Sequence, residues 1–372
     1  MTLKAIAYKD DVASDVTTAT YTVRTNLFAD DFSSEPNGYK ALGITNDYVT
    51  SKIDIGRSAI LTFRLRGRKA SATTSFNVVE NYGEGIYNTN RYIFNILDLS
   101  PSQGEWTDYT YAVPMQYDNS KVKISFFSSD CDLDDVLLVA PPTITLDESA
   151  NNSTVLHENI GKIVDVATRR TLRGGIWNTL CLPFDVSSDD IYTAIGTGGK
   201  TQEIVMTTYS SYADGVMTFS NVPAGTKIAA GTPFLLKFIY DCVNPTFRAV
   251  KIKTEEPATP TASNGVSFLG CFSVTPLATD GTDLFIGTDN KLYSPAEETN
   301  NLGGLRAYIH KENPAARLAL TIEEPTGIVE LRNVDRGTRN DTWYSLDGRK
   351  VVSGQLKSGL YISNGKKIVV RN

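Results

Sequence analysis

Closely spaced carboxylates are the first residues in this sequence whose types and spacing could do chemistry. They lie in the segment SDCDLDD, residues 129–135, where Asp130, Asp132 and Asp134 alternate with other residues. Successive side chains of an extended strand point to opposite faces, so these three would share one face. Carboxylates that close repel one another unless a hard cation lies among them, and Ca²⁺ takes about six to eight oxygen ligands. The segment therefore predicts either a structural Ca²⁺ site that pins strands together or a solvated acidic loop.

Alternating arginines form a second candidate surface. Arg64, Arg66 and Arg68 alternate with apolar residues in LTFRLRGRK, and Lys121 and Lys123 do so in KVKISFF. If both segments are strands of one sheet, their charged side chains form a basic stripe on its solvent face. Such a stripe would bind the sulfate or uronate groups of an acidic glycan, because the guanidinium fork matches two oxygens at once. The alternative is a solvated face without a ligand.

Aromatic side chains are the usual platforms for sugar rings. Tyr39, Tyr48, Tyr82 and Tyr87 lie in connections rich in glycine and asparagine, which favour loops that display them. With the first two arginines of the stripe, these tyrosines are the candidate ligand-binding residues. Trp106 lies within a strand pattern, and we predict that it belongs to the core.

No motif for nucleophilic or metal-dependent catalysis is present in the sequence. The G-x-S-x-G, H-E-x-x-H and P-loop patterns are absent, and the two histidines, His157 and His310, lie in segments without a nucleophile motif. Adjacent acidic pairs such as Glu255-Glu256 would point their side chains apart in an extended chain. We therefore predict no catalytic residues and no enzymatic activity.

Charge and length limit the classes of partner. The net charge of −6 over 372 residues argues against nucleic acid or an anionic membrane surface as the main partner, since both favour clustered lysine and arginine. No run of about 18 apolar residues exists, so no transmembrane segment is predicted. The first residues lack the basic and then apolar stretches of a signal peptide.

The hydrophobic pattern predicts an all-β protein. β-branched and aromatic residues alternate with polar ones along most of the chain, and turns with glycine or proline recur about every ten residues. This pattern is typical of consecutive β-sandwich modules. Cys131, Cys181, Cys242 and Cys271 show no metal-binding spacing. We predict buried free thiols, with a Cys242 to Cys271 disulfide as the alternative in an exported protein.

The strand pattern of residues 26–141 predicts one complete β-sandwich. The strand candidates are Ser58 to Gly67, Thr73 to Val79, Tyr92 to Asp98, Trp106 to Pro114, Lys121 to Ser128 and Leu133 to Ala140. Pro141-Pro142 marks its end, because paired prolines interrupt regular structure.

Three short motifs of this segment carry a resemblance. DDF precedes the first strand, WTDY begins at Trp106, and DDVLL closes the segment. Together they resemble a jelly-roll, galactose-binding-like carbohydrate-binding module, which implies a β-sandwich that binds carbohydrate. In such modules a structural Ca²⁺ joins the opening acidic segment to the final strand. The resemblance implies Asp31 and Asp135 as the metal ligands, with Asp30 as a third.

Residues 343–372 predict a small β-module. Apolar runs on both sides of Asn364-Gly365 are typical of a hairpin, because a type I′ turn needs positive φ at both central positions. The tail resembles the C-terminal sorting domain of the type IX bacterial secretion pathway, although it ends in Arg371-Asn372 instead of a lone lysine. The matching positions are Tyr344, Gly348, Arg349, Val351, Gly359, Tyr361, Ile362, Lys367, Val369 and Val370. The resemblance implies export and attachment to the cell surface.

Two further segments complete the domain prediction. Residues 1–25 alternate as one hairpin and resemble the last two strands of the immunoglobulin-like C-terminal module of chitobiases and related glycosidases. Residues 142–325 resemble a β-rich module placed before sorting tails, and this resemblance implies no activity. We predict that residues 326–372 form the C-terminal attachment module.

These observations predict a non-catalytic, secreted or cell-surface protein that binds a polysaccharide or other glycan through its jelly roll. Two alternatives remain open. In the first alternative, the chain is a structural or adhesive stalk that makes protein contacts through edge strands. In the second, it is the ancillary C-terminal portion of a larger glycoside hydrolase.

Overall fold

A computed structural model describes most of the chain between residues 26 and 323 and short strands at either end. The described residues are 2–5, 8–9, 12–13, 17–20, 26–43, 47–82, 89–117, 120–128, 130–196, 203–259, 264–296, 301–323, 328–332, 343–345, 349–351, 359–363 and 366–371.

The opening segment contains four short strands. They are β1 (Thr2–Ala5), β2 (Tyr8–Lys9), β3 (Val12–Ala13) and β4 (Thr17–Thr20). β1 pairs antiparallel with β4, and β2 pairs antiparallel with β3. The predicted hairpin is confirmed, and its resemblance to a chitobiase module stays a prediction.

Residues 26–141 fold into the predicted β-sandwich. Its strands are β5 (Asn26–Asp30), β6 (Lys40–Ala41), β7 (Tyr48–Val49), β8 (Ser58–Gly67), β9 (Thr74–Tyr82), β10 (Thr89–Leu99), β11 (Thr107–Pro114), β12 (Lys121–Ser128) and β13 (Cys131–Val139). One sheet has the order β11-β8-β13-β5, with β6 also paired to β13, and the other has the order β10-β9-β12-β7. The chain crosses between the two sheets repeatedly, as in a jelly roll. β8 and β12 have the predicted bounds.

The core of this sandwich lies between the two sheets. Alternation along β8 buries Leu61, Phe63 and Leu65 almost completely. The Phe63 ring centroid lies 5.0 Å from that of Phe76 and 4.8 Å from that of Phe126, both in the opposite sheet. Burying each such ring contributes roughly 1.5–3 kcal/mol. Because these positions face inward, the intervening residues of β8 must face outward.

The next segment is also rich in β-structure, with two short helices. Its strands are β14 (Thr143–Asp147), β15 (Ile163–Arg169), β16 (Thr171–Leu172), β17 (Asn178–Leu180), β18 (Val205–Ala213), β19 (Val216–Asn221), β20 (Phe234–Lys237), β21 (Cys242–Val243), β22 (Thr246–Lys251), β23 (Val266–Cys271), β24 (Thr275–Pro276), β25 (Asp283–Ile286), β26 (Leu292–Tyr293), β27 (Asn301–Leu302), β28 (Arg306–Lys311) and β29 (Ala319–Ile322). The helices are α1 (Ser153–Asn159) and α2 (Ser188–Ile195).

These strands form three larger sheets and two strand pairs. The larger sheets have the orders β14-β15-β22, β17-β20-β18-β19-β29 and β23-β28-β25-β26, and the pairs are β16-β21 and β24-β27. β14 and β15 are parallel, so they need a crossover, and α1 lies in that connection. A capping box between Ser187 and Asp190 begins α2.

Short apolar runs between glycines predict the core of this segment, and the structure confirms it. The predicted members are Val205, Met206, Phe219, Phe234, Leu236, Phe238, Phe268, Leu284 and Ile286. The first seven are buried, and Leu284 and Ile286 are partly buried against the same clusters.

Asp165 of β15 contacts the first sandwich. Its two carboxylate oxygens each lie 2.9 Å from the Ser58 hydroxyl at the start of β8. Arg248 and the backbone N–H of Ala249 donate to the same carboxylate. The buried charge is therefore satisfied from both segments, as buried carboxylates must be.

The C-terminal segment contributes five short strands. They are β30 (Ile328–Arg332), β31 (Trp343–Ser345), β32 (Lys350–Val351), β33 (Gly359–Ser363) and β34 (Lys366–Arg371), in the order β30-β34-β33-β31-β32. β33 and β34 pair antiparallel with Ser363 opposite Lys366, which is the strand register that the sequence predicts. Asn364 and Gly365 lie outside the described residues, and the sorting function stays a prediction.

All four cysteines are free thiols, and Cys131, Cys181 and Cys271 are buried. Burial raises the pKa of these thiols and of the half-buried Cys242. Neither helix in the described part of the chain is long and apolar enough to cross a membrane.

Candidate functional site

Outward-facing side chains of β8 and β13 form a row of ion pairs. The register places Asp132 opposite Arg66 and Asp134 opposite Arg64. Arg64 Nη2 lies 2.6 Å from Asp134 Oδ2, and Arg66 Nη2 lies 2.8 Å from Asp132 Oδ2. Arg68 Nη1 lies 2.8 Å from the other oxygen of Asp132. Guanidinium groups therefore lie beside the carboxylates for which the sequence predicted a metal cation.

Each cationic side chain of this row has a carboxylate partner. Besides the pairs above, Arg64 lies 2.9 Å from Asp135 Oδ2, and Lys69 pairs with Asp130. Four cationic side chains thus contact four carboxylates. The hydrogen bond from Arg66 to the nearly buried Asp132 raises the pKa of that guanidinium.

The structure corrects the predicted basic stripe. Lys121 and Lys123 lie on β12, which belongs to the opposite sheet from β8. The two strands therefore do not combine their charges on one face. The prediction was wrong because a period-two pattern shows which residues share a face of one strand and does not show which sheet that strand joins.

Aromatic rings lie over the arginines. The Arg64 and Arg66 guanidinium carbons lie 5.2 and 4.6 Å from the Trp106 ring centroid. Arg66 also lies 4.7 Å from the Tyr39 centroid, and the two rings meet edge to face at 5.7 Å. Both aromatic residues are partly exposed. Cation–π contacts of this kind hold the rings in place.

The position of Trp106 is a second correction. Trp106 comes just before β11, whose register pairs Thr107 with Leu65. The alternation therefore brings Trp106 level with Arg66 on the outer face, while Tyr109 and Tyr111 pack inward against Phe63. In WTDYTY, Trp106 lies on one face of the strand and Tyr109 and Tyr111 lie on the other. The sequence therefore did not show which of the two aromatic faces points to the core.

A cavity of about 470 Å³ adjoins this aromatic surface at Arg64. Its lining residues are Ala29, Asp30, Asp31, Thr62, Phe63, Arg64, Asp108, Tyr109, Thr110, Asp135, Val136 and Leu137. Carboxylate, hydroxyl and guanidinium groups thus surround a volume in the range of small-ligand sites.

A β-bulge shapes one wall of this cavity. The register of β13 against β8 shifts between Asp134 and Leu137, and Asp135 has a φ of 50°. A non-glycine residue in the left-handed region is uncommon, and bulges re-aim side chains next to functional sites. Here the bulge places the Asp135 carboxylate beside Arg64.

The structure separates the predicted ligand-binding residues into groups. Tyr39, Arg64 and Arg66 come together on the outer face. Tyr48 instead packs against Phe32 and Phe126. Its hydroxyl donates to Asp30, and burial together with this carboxylate raises the pKa of Tyr48.

The two remaining tyrosines do not join this surface. Tyr82 belongs to the opposite sheet, where it stacks on Tyr117 with the ring centroids 3.9 Å apart. Tyr87 lies outside the described residues.

The three predicted calcium ligands line one wall of the cavity, yet their oxygens are engaged elsewhere. Asp30 accepts hydrogen bonds from a backbone N–H and from Tyr48, and Asp31 accepts one from a backbone N–H. Asp135 pairs with Arg64. In the described residues, no group of three or more acidic, histidine or cysteine side chains is arranged to hold a metal ion. This arrangement does not fit Ca²⁺, and the calcium site stays a prediction.

Sequence reasoning missed the polar residues that extend the site. Asp108 lies opposite Arg64 in the pairing of β11 with β8, and Thr110 lies opposite Thr62. Because every second side chain of a strand faces the same side, Asp108 and Thr110 share the outer face with Trp106, and Thr62 shares it with Arg64. The signal was therefore present along each strand, but the pairing of the strands was not.

Fold and site together define an all-β, multi-module protein with a charge-balanced aromatic surface beside a polar cavity. No protein-family model matches the chain, and no curated protein matches its sequence.

Solved structures are similar to the chain at low identity. The K3 cleaved adhesin domain of Lys-gingipain from Porphyromonas gingivalis is 16% identical with a TM-score of 0.22, over 32% of this chain and 99% of that chain. The CBM22-1-GH10 modules of an endo-1,4-β-D-xylanase from Clostridium thermocellum, complexed with xylohexaose, are 14% identical with a TM-score of 0.22, over 33% of this chain and 32% of that chain.

Tripeptidyl peptidase 2 is 10% identical with a TM-score of 0.25, over 100% of this chain and 33% of that chain. TM-scores this low carry no conclusion about the function of this chain.

Proposed function

We propose that residues 26–141 bind carbohydrate on the outer face of the β11-β8-β13-β5 sheet. The observation that carries this proposal is the adjacency of a partly exposed aromatic surface, Tyr39 and Trp106, to the polar cavity at Arg64. Sugar rings present apolar C–H faces that stack on aromatic rings and hydroxyl groups that both donate and accept hydrogen bonds. The cavity offers partners of both kinds.

The charge balance favours a neutral glycan. An acidic glycan would need cationic groups without partners, whereas Arg64, Arg66 and Arg68 are each paired with carboxylates. Carboxylates in the cavity, such as Asp108, accept hydrogen bonds from sugar hydroxyls and repel anionic groups. We therefore assign a neutral polysaccharide as the ligand class.

Preorganisation supports the same site. The guanidinium groups of Arg64 and Arg66 hold the indole of Trp106, and Asp132 and Asp134 hold the two arginines. A ring fixed before binding loses little conformational entropy when a sugar stacks on it, which increases affinity.

The proposed setting of this activity is the cell exterior, and the proposed role is non-catalytic. The C-terminal hairpin register and the matching positions of the tail support export. The lack of nucleophile motifs in the sequence supports a binding role.

Affinity gel electrophoresis tests the proposal. Gels would contain neutral polymers (xylan, β-glucan, galactomannan) or acidic polymers (alginate, chondroitin sulfate). We expect a neutral polymer to retard the wild-type protein and Trp106→Ala to lower the affinity by about tenfold, because a stacked aromatic ring contributes about 0.5–1.5 kcal/mol beyond its buried area and about 1.4 kcal/mol is a factor of ten.

Tyr92→Ala is the matched control. Tyr92 is 61% exposed on β10 of the opposite sheet, so its loss should leave retardation unchanged. Circular dichroism would confirm that both variants keep the wild-type fold. No retardation by any polymer, or equal losses in the two variants, would refute the proposal.

Adhesive protein contact is a second candidate function. β10 is an edge strand of its sheet, and it exposes both Tyr92 and Leu97 by about three fifths. Exposed apolar side chains on a strand edge favour pairing with another chain. Analytical ultracentrifugation of Tyr92→Lys tests this candidate: a loss of self-association supports it, and a monomeric wild-type protein contradicts self-pairing at this edge.

A further inference from the structure

A second cavity, of about 670 Å³, lies in the segment after the sandwich. It opens where strands β25 and β28 separate. Their antiparallel ladder ends at the pair Leu284–Ile309. Continued in the same register, the ladder would place Phe285 opposite Tyr308 and Ile286 opposite Ala307, but Ile286 and Ala307 line the cavity instead. The cavity is therefore a gap in a β-ladder.

Each strand keeps a partner on its far side, and just before β28 the carbonyl oxygen of Leu305 accepts a hydrogen bond from the backbone N–H of Cys181. Phe285 and Ile286 pair with β26, and Ala307 pairs with Gly270 of β23. Within the described residues, the facing edges of β25 and β28 form no ladder beyond Leu284–Ile309. Unpaired strand edges accept an added strand through backbone hydrogen bonds.

The charge beside this gap is unbalanced. Arg306 lines the cavity and pairs with Glu148, which also lines it. The same carboxylate lies 3.8 Å from Nε of Arg170. Two guanidinium groups thus share one carboxylate among the described residues, which leaves one excess positive charge.

Arg170 is held rigidly behind the cavity wall. Its two terminal nitrogens donate to the carbonyl oxygens of Leu305 and Thr179, while its buried Nε has no hydrogen-bond partner among the described groups. Burial, and then the charge of Arg306, lowers the pKa of Arg170 to about 9, which leaves it protonated at neutral pH. An anion in the cavity would stabilise both arginines.

We propose that this cavity binds the carboxy-terminal end of an extended peptide. The peptide backbone continues the interrupted ladder between Ile286 and Ala307, and its terminal carboxylate pairs with Arg306. Leu277, Phe285 and Leu302 line the cavity and surround an apolar side chain of the peptide. The volume lies in the range of sites for ligands of this size.

The peptide acetyl-Gly-Val-Phe, as the free acid and as the C-terminal amide, provides the test. The two probes differ only in the terminal charge. We expect calorimetric titration to show the acid binding about tenfold or more tightly than the amide. We also expect methylation of the valine nitrogen to weaken the acid about fivefold or more, because it removes one donor to a strand edge.

Arg306→Gln should remove the difference between acid and amide, since it removes the charge and keeps a donor for Glu148. Arg173→Gln is the control, because Arg173 pairs with Asp241 on the surface and does not line the cavity. Trp106→Ala should leave peptide affinity unchanged, which separates this site from the carbohydrate site.

Equal affinities of the acid and the amide for the wild-type protein would overturn the proposal, and so would the absence of binding by either at millimolar concentration. This comparison needs no variant, so it decides the matter even if Arg306→Gln fails to fold. An unchanged acid preference in a folded Arg306→Gln variant would overturn it as well.

Discussion

Two clusters of arginine and carboxylate differ in charge balance and in burial. On the outer face of the sandwich, Arg64 and Arg66 each have a carboxylate opposite them on β13. In the following segment, Arg170 and Arg306 share Glu148. Arginine at a cavity wall therefore does not by itself indicate an anionic ligand. The balance of charge around it decides whether a neutral or an anionic ligand fits.

Burial separates the clusters further. The Arg66 side chain is 26% exposed, whereas that of Arg170 is 2% exposed. Water can replace a lost partner in the first cluster and cannot do so in the second. The same kind of substitution should therefore have unequal effects on stability at the two sites.

The largest expected effect is on stability at the buried arginine. Arg170→Met should lower the free energy of unfolding by about 3 kcal/mol, because two buried carbonyl oxygens lose their donors and Glu148 loses a neighbour. Arg66→Met should cost less, about 1–2 kcal/mol, because Arg68 still pairs with the nearly buried Asp132. Urea denaturation measures both, and equal losses would contradict the distinction drawn from burial.

A change of ligand class is the next effect. Asp132→Asn removes the carboxylate shared by Arg66 and Arg68 and so makes the potential around these two arginines more positive. We expect this variant to gain retardation in gels of alginate, with a stability loss of about 1–3 kcal/mol. Asp98→Asn, at an exposed position of β10, is the control. If alginate retards neither variant, charge balance does not set the ligand class.

Salt should distinguish the two sites more mildly. Raising NaCl from about 50 to 500 mM should weaken binding of the acid peptide several-fold, because screening acts on its terminal carboxylate. Binding of a neutral polysaccharide should change by less than about twofold over the same range. Equal salt dependence at the two sites would remove the electrostatic distinction between them.

The smallest expected effect is that of calcium. Because Arg64 already pairs with Asp135, a Ca²⁺ ion would have to displace a cation to enter the cavity. We expect millimolar CaCl₂ after EDTA treatment to shift the melting temperature by about 1 °C or less. A rise of about 4 °C or more would correspond to about 1 kcal/mol and would establish the calcium site that the resemblance implied.

Much of the local structure was predictable from the sequence. Alternation along LTFRLRGRK predicted both the bounds of β8 and the inward position of Phe63. The Asn364-Gly365 pair predicted the register of β33 and β34. The same alternation put Arg64 and Arg66 on the outer face. These features depend on neighbours within one strand or one turn, so period and turn chemistry determine them.

The candidate site was predictable only in part. Tyr39, Arg64 and Arg66 are predicted as ligand-binding residues and lie together on one surface, whereas Trp106 was predicted in the core and Asp108 was not predicted at all. The acidic segment predicted a cation, and the cations beside it are guanidinium groups of a strand about 70 residues earlier in the chain.

The residue pattern alone determined that this protein is built of β-strands, which side chains share each strand face, and the register of β33 against β34. Tertiary structure alone decided that β8 lies beside β13 and not beside β12, and that the ladder of β25 and β28 stops before Ile286 and Ala307. The reason is that strand pairing joins residues far apart in the chain, and many strands with the same period-two pattern compete for each partner.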